Sequence, residues 1–586
     1  MQPGSEPRTR LQFSNFNISA SSEGYEVKLL QNRDPKILDV SGGSFTVGHN
    51  ATFYSADSLT LLARDVIIDG AFNVTNVTRM RNLTARVDFL RISGTFGVAG
   101  SLELHVDNLE IIGSLEIEDI VSIRGRTAKR TATIFVNTMG SLTMNSRNSP
   151  GVSSVRASVV EVNGTFAAGI ISTAEEWNIL RVLSKGRMNM DVRGEFKVNS
   201  LLVSGNLEFK NKVSIVSSTL TIYKDGSLKL TSGAYNVSCS RKDVFSEIRA
   251  DRILVDGLLQ AGPLSVGDGI NIFKVGPSGD FQFYPVGSFS FDSFTVDGKM
   301  SSFGDVVLQG KTNDTLQHAK IGANAKVVLK RCFGRSQIKA ERVTVAGVLS
   351  TDLLSIAPYW RELLVLGTFD FLPSEPFNIT TTTISGIMRT IKPFSRDTSL
   401  LGDSLTILPT GVLHMNFKRK LTDFSSGSPP STIRMNTLSV GGRLETGSLE
   451  VFAGRMEVSA SGIVTANWGG YVGAEGPGAG SLSHSGGSGA SHGGRGGRGR
   501  GTTCHNLPYG SIYLKGTWGS GGGGGYRGYR GGRGGGKVFL EIESSLKLDG
   551  TIQASGEAGK VRLGFLFITK LGIFHRLHDN TLQLYI

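Results

Sequence analysis

Residues 92–115 read Ile92-Ser-Gly94-Thr-Phe96-Gly-Val-Ala-Gly-Ser101-Leu-Glu-Leu-His-Val106-Asp-Asn-Leu-Glu-Ile111-Ile-Gly113-Ser-Leu115. One short motif (apolar residue, any residue, glycine, any residue, apolar residue) opens and closes the stretch. Between the two copies, Ser101 to Val106 alternates polar and apolar side chains, which is the period of a strand with one buried face. Working outward, the motif recurs at Ile68-Asp-Gly70, Val162-Asn-Gly164, Val203-Ser-Gly205, Val255-Asp-Gly257, Val296-Asp-Gly298, Val345-Ala-Gly347, Val365-Leu-Gly367, Ile384-Ser-Gly386, Val440-Gly-Gly442 and Leu548-Asp-Gly550. A weaker form with a polar first position lies between many of these, at Gly186, Gly226, Gly279 and Gly411. Together they step along the chain by about 23 residues, a spacing that marks stacked supersecondary units.

A unit of that size made of short strands is one rung of a parallel β-helix. The expected fold is therefore all-β, a parallel β-helix or solenoid with a glycine-rich insertion; tandem β-sandwiches are the alternative, kept open by the Asp-Gly pairs that hairpins favour. Glycine at each corner is expected to supply either positive φ or close backbone approach. Asp69, Asp225, Asp256, Asp297 and Asp549, each directly before such a glycine, read as turn formers. Around Gly322 the register is unclear, and Thr173–Leu183 is the best candidate for a short helix.

Composition narrows the class. The chain has 586 residues, 77 of them glycine and 3 cysteine, with a formal net charge of +13. Collagen is excluded for want of a Gly-X-Y period, and a disulfide scaffold by an odd number of distant cysteines, Cys239, Cys332 and Cys504. Met1–Phe13 lacks the apolar core of a secretory signal, so either the protein stays inside the cell or the N-terminus is incomplete. Leu563–Phe574 is apolar but too short to cross a bilayer and is broken by Lys570. Five regions follow: an N-terminal segment 1–40, β repeats 41–468, a glycine/arginine-rich segment 469–536, a further β repeat 537–559, and a tail 560–586.

The solenoid class invites a polysaccharide-active enzyme, which needs paired carboxylates or an acidic metal site. No Asp-Asp pair stands on a candidate strand, and His49, His105, His318 and His414 are isolated in sequence. Carboxylates contributed by different rungs would not be visible in one sequence. In the glycine-rich segment, Gly531 to Lys537 imitates a phosphate-binding loop, but Val538 replaces the required Ser or Thr and a strand follows instead of a helix. His484, His492, Cys504 and His505 match no compact zinc spacing, and the absence of aspartate excludes the calcium-binding nonapeptide. No catalytic, cofactor or metal residue is expected, and no ligand or partner can be named.

Arg495, Arg498, Arg500, Tyr526, Arg527, Tyr529, Arg530 and Arg533 form the Arg-Gly-Tyr pattern of RNA-binding segments, the arginines for phosphates and the tyrosines for bases. The competing reading is a compact insertion whose turns need glycine. It is favoured because the segment contains the specific block Pro508-Tyr-Gly-Ser-Ile-Tyr513 and runs directly into another strand–glycine–strand unit.

The order Ser491-His-Gly-Gly-Arg-Gly-Gly497, Pro508-Tyr-Gly-Ser-Ile-Tyr513, Trp518-Gly-Ser-Gly-Gly-Gly523, Gly532–Leu540 and Leu548-Asp-Gly-Thr-Ile-Gln-Ala-Ser-Gly556 resembles a family of uncharacterised, glycine-rich, pectin-lyase-like β-solenoid proteins of eukaryotic cell surfaces. The resemblance is strongest over residues 486–556. It implies an extracellular structural or adhesive role without known chemistry. Lys560–Ile586 departs from the family pattern and is expected to be read-through or a gene-model artefact. Nine sequons, at Asn17, Asn50, Asn73, Asn76, Asn82, Asn163, Asn236, Asn313 and Asn378, are glycosylation candidates that fit an exported protein. The sequence reading is thus an extracellular or cell-surface scaffold that is not an enzyme. An RNA-binding protein and a polysaccharide-active enzyme are the alternatives.

Overall fold

The computed structural model describes all residues except 1–9, 20–24, 30–35, 57, 75–81, 128–130, 145–151, 173–176, 232–244, 268–269, 312–313, 333, 357–359, 391–398, 416–429, 484–485, 493–496, 499–506, 510–516, 526–530, 558–573, 579–580 and 586. The chain is all-β, a parallel solenoid of about 17 turns with rungs about 22 residues apart. It divides into two units, the first comprising residues up to Asp292 together with Gly298–Phe303, the second comprising Ser293–Asp297 and Gly304–Ile586.

The rung of the first unit follows from the burial of Leu83–Ile92, whose alternation is interrupted once, at the adjacent half-buried pair Asp88 and Phe89. A break in a period-2 pattern means the strand bends there, so both halves turn their apolar side chains inward. After the Ser93-Gly94 turn, the short strand Thr95–Val98 buries Phe96 and Val98, and the chain passes to the next rung at Leu102. Three sides per rung result.

Rungs stack in register, so like residues fall in columns. The residue two places before a strong-motif glycine, or four places before the last residue of the weaker form's turn, forms one such column: Val47, Ile68, Ile92, Ile111, Val136, Val162, Val182, Val203, Ile222, Val255 and Val275. In the second unit the column runs Val296, Ile321, Val345, Val365, Ile384, Ile407, Val440, Val458 and Leu548. β-branched side chains pack well on a pleated surface, which explains their dominance. Aromatic residues stack beside them, as Phe53 on Phe72 at 4.9 Å and Phe371 on Phe377 at 4.5 Å between ring centroids. Each fully buried ring contributes roughly 1.5–3 kcal/mol.

The corner glycines are explained by close approach. A Cβ on Gly94 would lie 1.9 Å from the carbonyl oxygen of Gly70, and one on Gly113 would lie 2.0 Å from that of Gly94. Positive φ is not their cause: among the described residues it occurs in glycine at Gly194, Gly287, Gly476 and Gly486, none of them a repeat glycine. The weak form of the motif has its own geometry. At Asn137–Gly140, Leu183–Gly186 and Leu408–Gly411 the corner is a four-residue turn closed by a hydrogen bond from the last N–H to the first carbonyl, at 2.7, 2.8 and 2.7 Å. Gly322–Ala325 is the same turn with alanine in the last place, which is why the register there was illegible.

Two expectations are corrected. No helix occurs among the described residues, and Trp177–Val182 is a strand because Trp177, Leu180 and Val182 face the core. Tandem sandwiches are excluded because the rung-to-rung pairings are parallel, up to Ser448–Val458 with Lys537–Leu548. In the region assigned to the tail, Thr581–Tyr585 pairs antiparallel with Phe539–Ile542 and with Phe574–His578.

Candidate functional site

In the first unit, three successive rungs meet at the corner that follows the short strand. Asp191–Gly194, Asn211–Ser214 and Phe245–Glu247 enclose a groove of about 600 Å³. Strand register places Glu195 beside Ser214 and Ser214 beside Glu247, one column across three rungs. Two residues earlier in each rung stand Arg193, Lys212 and Phe245, all three of which line the groove.

The carboxylates here are held by neighbours. Arg249 donates from Nη2 to Glu247 at 2.8 Å and from Nη1 to Glu195 at 3.1 Å. Ser214 Oγ donates to Glu247 at 3.0 Å, Lys197 Nζ lies 3.3 Å from Glu195, and Asn211 Nδ2 donates to Asp191. The Arg249 hydrogen bond holds the Glu247 carboxyl below the usual carboxylate range, outweighing burial, which acts the other way. Arg193 and Lys212 are exposed and form no ion pair among the described residues, and the Phe245 ring is 39 % exposed. Two available cations and an apolar ring thus face a groove whose carboxylates are already compensated. Sequence reasoning missed this set because it joins residues far apart in the chain. The signal was present: Glu195, Ser214 and Glu247 each stand eight places before Val203, Ile222 and Val255, the motif residues of their rungs.

A second polar cluster surrounds His105 on the strand Leu102–Ile111. Its Nε2 lies 3.0 Å from Glu103 on the same strand and 3.1 Å from Arg124 on the next rung. The hydrogen bond with His105, aided by Arg124, lowers the Glu103 pKa. His318 bonds Thr344 at 3.0 Å and His414 lies 3.3 Å from Glu445, while His49 is exposed.

The described part of residues 469–536 is packed without helix or strand. Tyr471 N–H donates to Gly519, Gly519 N–H to Gly535 and Gly534 N–H to Tyr471, all between 2.9 and 3.0 Å. A Cβ on Gly521 would meet the Val472 carbonyl oxygen at 1.9 Å, and one on Gly534 the Gly519 oxygen at the same distance. Tyr509 donates to the Trp518 carbonyl at 2.5 Å and accepts from Ser520 Oγ at 2.7 Å, and burial pushes its phenol pKa up.

Of the arginines and tyrosines offered for RNA, Arg498 is exposed, whereas Arg533 is only 8 % exposed. Burial pushes the Arg533 pKa down, with Glu557 and Glu475 opposing that shift. Arg495, Arg500, Tyr526, Arg527, Tyr529 and Arg530 lie outside the described residues, as do His484, Cys504 and His505. Lys537 of the imitation phosphate loop begins a strand and pairs with Glu450 at 2.8 Å. No cluster suited to a metal ion occurs among the described residues.

Among the sequons, Asn17, Asn50, Asn82 and Asn378 are exposed. Asn163 is half-buried with Nδ2 donating to Thr138 at 2.9 Å, and Asn73 lays its Oδ1 over Gly97. Asn76, Asn236 and Asn313 lie outside the described residues. Cys332 is disulfide-bonded, and Cys239 and Cys504 lie outside the described residues.

Fold and site define the class: a parallel β-solenoid repeat protein carrying a packed glycine-rich insertion and a corner groove. Comparison with protein-family models, curated proteins and solved structures returned no match.

Proposed function

We propose that the protein is an extracellular or cell-surface structural and adhesive scaffold without catalysis. The disulfide at Cys332 carries this reading, because such bonds persist in oxidising compartments and are rare in the cytosol and nucleus. Exposed sequons at Asn17, Asn50, Asn82 and Asn378 agree with export. The registered columns of buried Val, Ile and Phe suit a stiff spacer, since each rung is fixed by the one before it. Glu247 is poorly placed for glycoside hydrolysis, which needs a carboxyl kept protonated by a raised pKa. Burial of Arg533 removes one of the cations an RNA-binding reading would use.

Expression of the full chain in its native cell, followed by fractionation, N-glycosidase treatment and electrophoresis with and without reductant, tests the proposal. A mobility shift with glycosidase and a second shift between non-reducing and reducing electrophoresis are expected in the secreted or surface fraction. An unglycosylated nuclear or cytosolic protein with a free Cys332 thiol would overturn it.

A further inference from the structure

We infer that the corner groove between Asp191 and Glu247 binds an anionic saccharide, with a sulfate ester held between Arg193 and Lys212 and its sugar ring lying on Phe245. Arg193, Lys212 and Phe245 come one from each of three consecutive rungs and line the same groove, in the order cation, cation, ring. A sugar with one charged substituent matches that order. The groove volume of about 600 Å³ falls in the range of small-ligand sites.

Charge balance selects the anion. Arg249 engages both Glu247 and Glu195, and Asn211 engages Asp191, so Arg193 and Lys212 remain available to a ligand. A planar carboxylate is satisfied by one guanidinium fork, whereas a tetrahedral sulfate directs oxygens toward cations on two adjacent rungs. The remaining carboxylate lone pairs accept hydrogen bonds from sugar hydroxyls.

Titration calorimetry of the full chain with dextran sulfate, neutral dextran, polygalacturonate and poly(U) tests the assignment. Dextran sulfate is expected to bind most tightly, and the double substitution Arg193→Ala/Lys212→Ala to weaken it about tenfold. Phe245→Ala is expected to weaken binding without changing its salt dependence. Lys224→Ala/Lys299→Ala, which removes two exposed cations outside the groove, is expected to leave it unchanged. Equal losses in the two double variants would reveal attraction to net charge alone and overturn the site. Tighter binding of polygalacturonate or poly(U), or no binding at all, would overturn the ligand class.

Discussion

Arg389 sits one rung beyond Asp370 and grips it with two parallel hydrogen bonds, Nε to Oδ1 at 2.6 Å and Nη2 to Oδ2 at 2.8 Å. The column continues through His414 to Glu445, so polar and charged side chains stack along the outside of the second unit. Both Arg389 and Asp370 side chains are largely covered, at 26 % and 22 % exposure, which places the pair above an ordinary surface ion pair. Arg389→Lys, which keeps the charge but loses the fork, should destabilise by about 0.5–1 kcal/mol. Urea unfolding of the variant checks this; an unchanged midpoint would mean the fork adds nothing to simple charge.

The glycines should divide by what their missing side chain would meet. Gly113→Ala forces a methyl against the carbonyl oxygens of Gly94 and Ser93 and should cost about 2–3 kcal/mol. Gly42→Ala meets nothing within 4 Å and should be neutral or stabilising by about 0.5 kcal/mol. Thermal unfolding of the two variants side by side distinguishes a packing requirement from a general intolerance of alanine at glycine positions.

Two buried indoles bridge rungs. Trp177 Nε1 donates to the Val155 carbonyl at 2.9 Å and Trp360 Nε1 to that of Ile338 at 2.7 Å. Trp360→Ala should cost about 3–5 kcal/mol and Trp360→Phe distinctly less, since the phenyl ring keeps most of the apolar contact and forfeits only the hydrogen bond. Denaturant midpoints measure both, and equal losses would show that the hydrogen bond outweighs the packing.

Acid should weaken the fold in two stages. Burial lowers the pKa of His414, with Arg389 and Arg443 adding to the shift and Glu445 opposing it, so the neutral imidazole is the form the folded chain prefers. The unfolded chain then binds more protons, and stability is lost as pH falls from about 6.5 through the lower folded value. Glu247 is likewise lowered, chiefly by Arg249, and its contribution is lost further down, as pH falls from about 4.3 through its folded value. Melting temperature against pH should therefore drop below neutrality, and His414→Gln should flatten the upper part of that drop. An unchanged slope in the variant would remove His414 as the cause.

Backbone amides at Gly519, Gly521, Gly522, Gly523, Gly534 and Gly536 all donate within the protein. Hydrogen exchange over 519–524 and 531–536 should be slowed well beyond unstructured-peptide rates. Full exchange within the dead time would mean that the glycine-rich segment is an open tail.

How much of this was readable in advance depends on the range of the interaction. The alternation at Ser101–Val106 and the Val-x-Gly motif are local, because strand period and the exclusion of Cβ at a tight corner act on a few neighbouring residues. From them the all-β class, the parallel stacking and the near-constant rung followed. The cause of each glycine did not, since positive φ and contact with the preceding rung ask for the same residue; only the Gly70 carbonyl beneath Gly94 separates them. Likewise the sequence by itself determined that carboxylates, cations and a phenylalanine occur between residues 191 and 249. Their meeting in one groove was decided by stacking, which sets residues about 20 to 30 positions apart side by side and consumes some charges while leaving Arg193 and Lys212 available. That choice is tertiary because an ion pair depends on separation in space, and in a solenoid spatial neighbours are a whole turn apart in the chain.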